Sequence, residues 1–216
     1  MSKLLINIEG NIGAGKSTFT GIISKNIQNS DLVDEPIDVW LNIKDNNENT
    51  ILDNFYQDKK RWSYTFQNFA YVTRMMKIED AVTNSNKKYI FLDRSLDTDL
   101  FVFSKMLYDD GCMNSIERTI YEYWNNFYFK YVKKNHIEKT IYLRTSPDIC
   151  LQRIIKRGRE AEKNIDISYL EKLHLYHEQW LLNKENIFVI DCNIDFENNL
   201  EYQNEIINKI NNFITS

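Results

Sequence analysis

The chain has 216 residues, 43% hydrophobic and 27% charged, with a formal net charge of −4. These proportions suit one globular domain over residues 1–216. They exclude a membrane span, since no apolar run is long enough, and they argue against a nucleic-acid partner, which needs a phosphate-neutralising surface. Cys112, Cys150 and Cys192 are dispersed and lack metal-type spacing, which points away from a disulfide scaffold and toward a reducing compartment. The chain enters Lys3-Leu4-Leu5-Ile6-Asn7-Ile8 with no cationic leader before it, so a cytoplasmic location is expected.

In chain order, residues 3–9 read as a buried strand, followed by a helix from Gly15 to about Gln28. Asp31 to Asp34 is a short second strand, stopped at Glu35-Pro36. The Asn- and Asp-rich stretch 42–50 reads as a loop or irregular helix, and Arg61 to about Val82 as a long helix. Tyr89-Ile90-Phe91-Leu92 is a third strand ending at Asp93, and helices are expected over 97–108 and 115–134. Thr140 to Leu143 is a fourth strand, and Ser146-Pro147 starts a helix with Ser at N-cap and Pro at N1, running to about Lys156. Residues 166–183 form another helix, Ile187 to Ile190 a fifth strand, and the C-terminal segment a last helix. Short apolar strands alternating with helices predict an α/β fold: a parallel five-stranded sheet with helices on both faces.

The chain has only six glycines, and three of them, Gly10, Gly13 and Gly15, fall in one short stretch. Gly10-Asn11-Ile12-Gly13-Ala14-Gly15-Lys16-Ser17 matches G-x-x-x-x-G-K-[ST] between a predicted strand and a predicted helix, the P-loop context. Glycines let backbone N–H groups converge on phosphates, and the helix N-terminus adds positive potential. Lys16 is placed for the β- and γ-phosphates and Ser17 for Mg²⁺. An empty Gly-rich turn would lack this context.

Three further clusters narrow the chemistry. Glu35 ends strand two on the ligand edge of such a sheet, where it can accept a hydroxyl proton; an isolated Glu-Pro would be only a turn. Asp93-Arg94-Ser95 ends strand three, with Asp93 placed to hold Mg²⁺ and Arg94 to hold the Glu35 carboxylate and phosphoryl oxygens; the bland alternative is a structural ion pair. Arg153 and Arg157 share a helix face, and Arg157-Gly158-Arg159 breaks it into a cationic lid, about residues 153–165. Alone, these arginines would read as a solvated basic face. Together the set describes a small phosphotransferase. A GTPase-type switch is disfavoured, because no N-K-x-D pattern is present.

At this point the sequence resembles the deoxyribonucleoside kinase family over nearly its whole length. The resemblance is carried by Ile8-Glu9-Gly10 through Lys16-Ser17-Thr18, by Glu35-Pro36 with Trp40, by Arg61-Trp62-Ser63-Tyr64-Thr65-Phe66-Gln67, and by Asp93-Arg94-Ser95. It continues through Arg157-Gly158-Arg159, Tyr169 to His174, His177 to Leu181 and Asp191 to Phe196, and is strongest toward the deoxycytidine/deoxyguanosine kinase branch. It implies ATP as phosphate donor with Mg²⁺, a deoxyribonucleoside substrate, and a homodimer built by helix packing. It also implies Glu35 as base on the 5′-hydroxyl assisted by Arg94, and Gln67 on the nucleobase edge. Trp40, Phe66 and Phe103 sandwich the base, while Tyr56 and Glu162 hold the 3′-hydroxyl. Arg153 and Phe196 flank the adenine of ATP, with backbone near Asp195 reading its edge, and Arg157 and Arg159 are the lid arginines. Arg74 and Asp99 look like the pair of the cytosine- and purine-accepting branch, so dA, dG or dC is expected over dT. Asp93 departs from the Glu of animal members and resembles bacterial ones.

The residue pattern agrees in one respect: Gln67, Ala70 and Arg74 fall near one helix face, with small Ala70 leaving room beside Gln67. Tyr64, Phe69 and Tyr71 read as core. His174 and His177 lack a third ligand and read as structural. Trp124, Phe127, Tyr128 and Tyr131 follow an apolar helix face and read as core or subunit interface. The competing readings are a thymidylate kinase-like enzyme, whose Arg-Glu-Pro-Gly-Gly is absent, and a non-catalytic nucleotide-binding subunit, which the presence of Lys16, Glu35, Arg94, Arg157 and Arg159 disfavours.

Overall fold

The computed structural model describes residues 3–131 and 137–215. Among these residues, five strands form one all-parallel sheet in the order β2-β3-β1-β4-β5. The strands are β1 (Leu4–Glu9), β2 (Ser30–Val33), β3 (Tyr89–Asp93), β4 (Ile137–Arg144) and β5 (Ile187–Asp191). Every residue of β1 and β3 is buried, as expected of central strands covered on both faces, whereas the edge strands β2 and β5 are only partly buried. The chain runs outward from β1 to β2, returns to β3, then crosses to β4 on the other side. The connection reverses beside β1, and the crevice at the C-terminal strand ends there is where such sheets bind ligands.

Around the sheet lie α1 (Lys16–Asn26), α2 (Ile37–Asn42), α3 (Ile51–Gln57), α4 (Lys59–Asn84), α5 (Leu96–Thr98), α6 (Lys105–Asp109), α7 (Ser115–Tyr131), α8 (Pro147–Arg157), α9 (Ile167–Leu181) and α10 (Leu200–Thr215). Among the described residues, no helix is long and apolar enough to cross a membrane. The long α4 starts at Asp58, whose side chain accepts from the Arg61 amide at 3.1 Å. Ser63, Phe66, Gln67, Ala70, Arg74 and Ile78 repeat at helical spacing along its buried face.

One expectation is corrected, the continuous helix over 97–108, and three others gain detail. The segment around 42–50 is a loop between two helices that were not anticipated, α2 and α3. Asn- and Asp-rich composition hid the Thr50–Asp53 capping box, in which Thr50 Oγ1 accepts from the Asp53 amide and Asp53 accepts from the Thr50 amide. The expected helix 97–108 is broken into α5, a π-helical stretch Asp99–Ser104, and α6. Ser146 sits at N-cap of α8, but its side chain caps nothing; its amide donates to Asn193 Oδ1 at 2.9 Å. The apolar stripe of α7 divides: Tyr121 and Tyr128 are buried against α4, while Trp124 and Phe127 are more than half exposed. The Tyr131 side chain and the expected end of that helix at 134 lie outside the described residues.

Candidate active site

The loop Gly10–Ser17 links buried β1 to α1 and is pressed against the N-terminal half of α8. Gly13 has φ +79°, and a Cβ there would stand 2.4 Å from the Cys150 carbonyl oxygen, so only glycine fits. Asn11 ties the loop to α9 by donating to the Leu170 carbonyl at 2.9 Å, and its Oδ1 accepts from the Ile12 amide. Lys16 Nζ folds back to donate to the carbonyls of Gly10 and Asn11, at 3.1 and 2.9 Å. Burial, reinforced by Arg94, pushes the Lys16 ammonium down to about 8. Arg153 braces the loop from α8, donating to the carbonyls of Ala14 at 3.2 Å and Cys192 at 2.9 Å. Thr18 follows Ser17 in the first turn of α1, whose amides have no partners within the helix.

Beside this loop the ends of β2 and β3 and the middle of α4 bring their charges together. Glu35 Oε1 accepts from Arg74 Nη2 at 3.0 Å and faces Arg94 Nε at 3.3 Å. Burial opposes ionisation of Glu35, but Arg74 and Arg94 outweigh it and hold the carboxyl at about 2. Arg74 also binds both oxygens of Asp99, at 3.0 and 3.3 Å, at the start of the π-helical stretch. Arg94 Nη1 donates to the Gly10 carbonyl at 2.8 Å, linking β3 to the loop. Ser17 Oγ donates to Asp93 Oδ2 at 3.2 Å, and Asp93 Oδ1 is buried with no hydrogen-bond partner. An orphaned carboxylate oxygen beside a hydroxyl, next to a phosphate-type loop, fits Mg²⁺, which takes one or two protein oxygens and fills its shell from phosphates and water.

These groups open onto one cavity of about 200 Å³. One wall is polar: Lys16, Ser17, Glu35, Asp93 and Arg94, with Arg157, Arg159 and Glu162 across from them. The remainder is largely apolar: Trp40, Leu52, Phe55, Phe66, Ala70 and Phe103 surround Gln67, whose buried Oε1 has no partner. Trp40 is oriented by its indole N–H, which donates to Thr73 Oγ1 at 3.0 Å. Trp40 and Phe66 meet edge to face, with centroids 5.3 Å apart at 81°, rather than as two parallel plates. Arg94 lies over the Phe103 ring at 5.0 Å. Burial pushes the Tyr56 hydroxyl well above its usual range, with Tyr169 and Glu162 adding to the effect. Glu162 accepts from Arg157 Nη2 at 2.5 Å and from Arg159 Nη1 at 3.4 Å, so both arginines are tethered to one carboxylate.

Most of the expected residues line this cavity; Gly10, Asn11 and Ala14 of the loop, Arg153 that braces it, and Asp195 and Phe196 do not. Asp195 holds its own turn by accepting from the Glu197 and Asn198 amides, and Phe196 is buried edge to face on Phe19. Phe196 nonetheless abuts the loop, since a Cβ on Gly15 would lie 3.0 Å from its ring. Sequence reasoning missed Leu52, Phe55 and Tyr169 in the cavity wall and the Arg74–Glu35 bond. Leu52 and Phe55 carry no signal beyond hydrophobicity, Tyr169 opens the Tyr169–His174 run without a role assigned to it, and the bond joins residues 39 apart in sequence. His177, read as structural, is fully buried and stacked on Tyr142.

The sequence signature of the family described as "Deoxynucleoside kinase" matches residues 6–215. The chain is 36% identical to "Deoxycytidine kinase 1" of Xenopus laevis, over 98% of this chain and 90% of that protein. It is 39% identical to a "Probable deoxycytidine kinase" of Fowlpox virus, over 97% and 88%, and 33% identical to "Deoxyguanosine kinase, mitochondrial" of Xenopus laevis, over 97% and 89%. The match spans the loop, the three clusters of charge and the walls of the cavity alike, and the chain therefore belongs to the deoxynucleoside kinase family and is an enzyme of that class.

Proposed function

We propose that this enzyme transfers the γ-phosphoryl group of ATP to the 5′-hydroxyl of a deoxyribonucleoside, with dC, dA or dG preferred over dT. The reading rests chiefly on Gln67. Its carboxamide is buried without a partner for Oε1, inside an apolar slot that opens onto Glu35, Arg94 and the glycine-rich loop. Leaving such an acceptor unmade costs about 1–3 kcal/mol, and any base edge carrying an N–H satisfies it, the N3–H of thymine included, so Gln67 supports a nucleoside acceptor and not the choice of base. The base preference rests on the names of the relatives, deoxycytidine and deoxyguanosine kinase, and on the Arg74–Asp99 pair. In this reading the Arg74–Asp99 pair, which lines the cavity together with Gln67 and Ala70, fills the space that a thymine methyl would need.

Glu35 receives the 5′-hydroxyl. A carboxylate held near 2 is a weak base at neutral pH. In a loose phosphoryl-transfer transition state the nucleophile needs little deprotonation, so Glu35 acts mainly by orienting the hydroxyl and takes its proton late. Arg94, fixed between Glu35 and Gly10, stabilises the transferring oxygens, as do Lys16 and the lid arginines Arg157 and Arg159. Ser17 and Asp93 would hold Mg²⁺, which supplies charge neutralisation on the phosphate oxygens when bound. Tyr56 and Glu162 receive the 3′-hydroxyl, and the adenine lies between Arg153 and the Asp195-Phe196 segment. A homodimer through α7 and α4 is part of the same reading, because Ile116, Ile120, Tyr123 and Trp124 on α7 and Val72 and Met76 on α4 are all exposed.

The test is steady-state phosphorylation of dA, dG, dC, dT and dTMP with ATP and Mg²⁺. Turnover of dC, dA or dG with the highest kcat/KM supports the reading. Thymidine as best substrate overturns the base preference, and activity confined to dTMP overturns the acceptor.

A further inference from the structure

Arg94 is built into the site by an unusual backbone. It has φ +74°, in the left-handed region disfavoured for residues with a Cβ. Three other non-glycine residues share that region among the described residues, Asn29, Glu48 and Asn186, and all three are exposed; Arg94 is buried. Such a conformation persists only where the surroundings over-determine it. Its own contacts do part of this: the Arg94 amide donates to the Ile8 carbonyl at 3.1 Å, extending the β1–β3 pairing by one residue.

The rest comes from Glu9, the last residue of β1. Its side chain is fully buried and contributes nothing to the cavity wall. Glu9 Oε1 accepts from the Ser95 amide at 2.9 Å and from Ser95 Oγ at 2.5 Å, and Oε2 accepts from Thr98 Oγ1. One carboxylate therefore ties Ser95, the residue just after Arg94, and Thr98, four residues after it, to the strand end just before Gly10. Arg94 Nη1 closes the ring by donating to the Gly10 carbonyl. An apolar residue at position 9 would leave the Ser95 N–H and two hydroxyls without acceptors in a dry interior.

We propose that Glu9 is a positioning residue for phosphoryl transfer: by holding Ser95 and Thr98 it locks the left-handed turn at Arg94 and sets the guanidinium between Glu35 and the glycine-rich loop. The effect on turnover rests on the role given to Arg94 above, whereas the effect on Arg94 geometry does not. The experiment separates the two. In protein labelled with ¹⁵N-arginine, the Arg94 Nε–Hε signal is assigned by its loss in Arg94→Lys, then followed in Glu9→Ala, Glu9→Gln and Thr98→Val. Kinetics are measured on the same samples. In Glu9→Ala the signal broadens or shifts. kcat falls by about ten- to a hundredfold, the scale of a small misplacement, while KM for the nucleoside stays within about threefold. Glu9→Gln keeps one acceptor oxygen toward Ser95 and restores most of both readouts. Thr98→Val, which removes one bond and nearly no volume, gives a smaller change of the same sign and decides the matter if Glu9→Ala does not fold. A sharp, unshifted Arg94 signal in the variants overturns the proposal, whether or not the melting temperature falls. A lost signal with kcat intact supports the positioning and overturns the catalytic role of Arg94.

Discussion

Arg74→Met removes the guanidinium that two carboxylates share. Asp99 is 2% exposed and both its oxygens face Arg74, at 3.0 and 3.3 Å. Without Arg74 it must remain charged in a dry site or take up a proton. Breaking a buried pair in this way costs about 3–5 kcal/mol. Glu35 adds less, because it keeps Arg94 at 3.3 Å. Asp99→Leu alone leaves Arg74 paired with Glu35, so its cost is smaller, about 1–3 kcal/mol. The double variant removes both buried charges and is expected to be more stable than Arg74→Met, giving a coupling energy of about 2 kcal/mol or more. Urea unfolding at about pH 7, followed by the fluorescence of the four tryptophans, reads all members of the cycle. A loss below about 1 kcal/mol for Arg74→Met, the value of an exposed pair, would refute the argument, as would strict additivity of the two single changes.

Lys16 is pushed down to about 8 by burial and Arg94, so its cation is lost as pH rises through that value. kcat/KM for ATP should fall about tenfold per unit above pH 8, and a flat profile to about pH 10 would contradict this. Glu35 has a folded-state pKa near 2, below its ordinary 4.5, so its stabilising contribution is complete above 4.5 and is lost as pH falls toward 2. The stability difference between the native enzyme and Glu35→Gln should therefore shrink from about pH 5.5 to about pH 3, and a constant difference would sink the claim. Gly13→Ala places a Cβ 2.4 Å from the Cys150 carbonyl at φ +79°; it should cost at least about 2 kcal/mol and abolish ATP binding by calorimetry, and native affinity would show the close approach to be dispensable. Ile120→Glu with Trp124→Glu should sediment as a monomer where the native chain sediments as a dimer; a native monomer would end the dimer reading.

The sheet was legible because its signals are local. β1 and β3 are short apolar runs, and the glycine-rich loop announces both the strand before it and the helix after it. Gln67, Ala70 and Arg74 could be put on one face because α4 is long and regular. The helices α2 and α3 escaped because Asn and Asp between them outweighed the Thr50-Ile51-Leu52-Asp53 capping signature. The π-helical stretch that presents Asp99 has no composition cue, since it is set by packing against α4 and α9. Trp124 and Phe127 share helical spacing with Tyr128, but spacing does not say which side of a broad apolar helix meets the core. Glu9 was visible in the loop motif, yet its partners Ser95 and Thr98 stand 86 and 89 residues away and come within reach only through the β1–β3 register.

The most direct test of the account is single-turnover phosphorylation of deoxycytidine by Glu35→Gln with saturating ATP and Mg²⁺, beside equilibrium binding of the nucleoside. If Glu35 orients the 5′-hydroxyl and receives its proton, the rate falls by about a hundredfold or more while the nucleoside Kd changes by less than about threefold. A rate within about threefold of the native enzyme, with binding intact, would contradict the central role of this carboxylate.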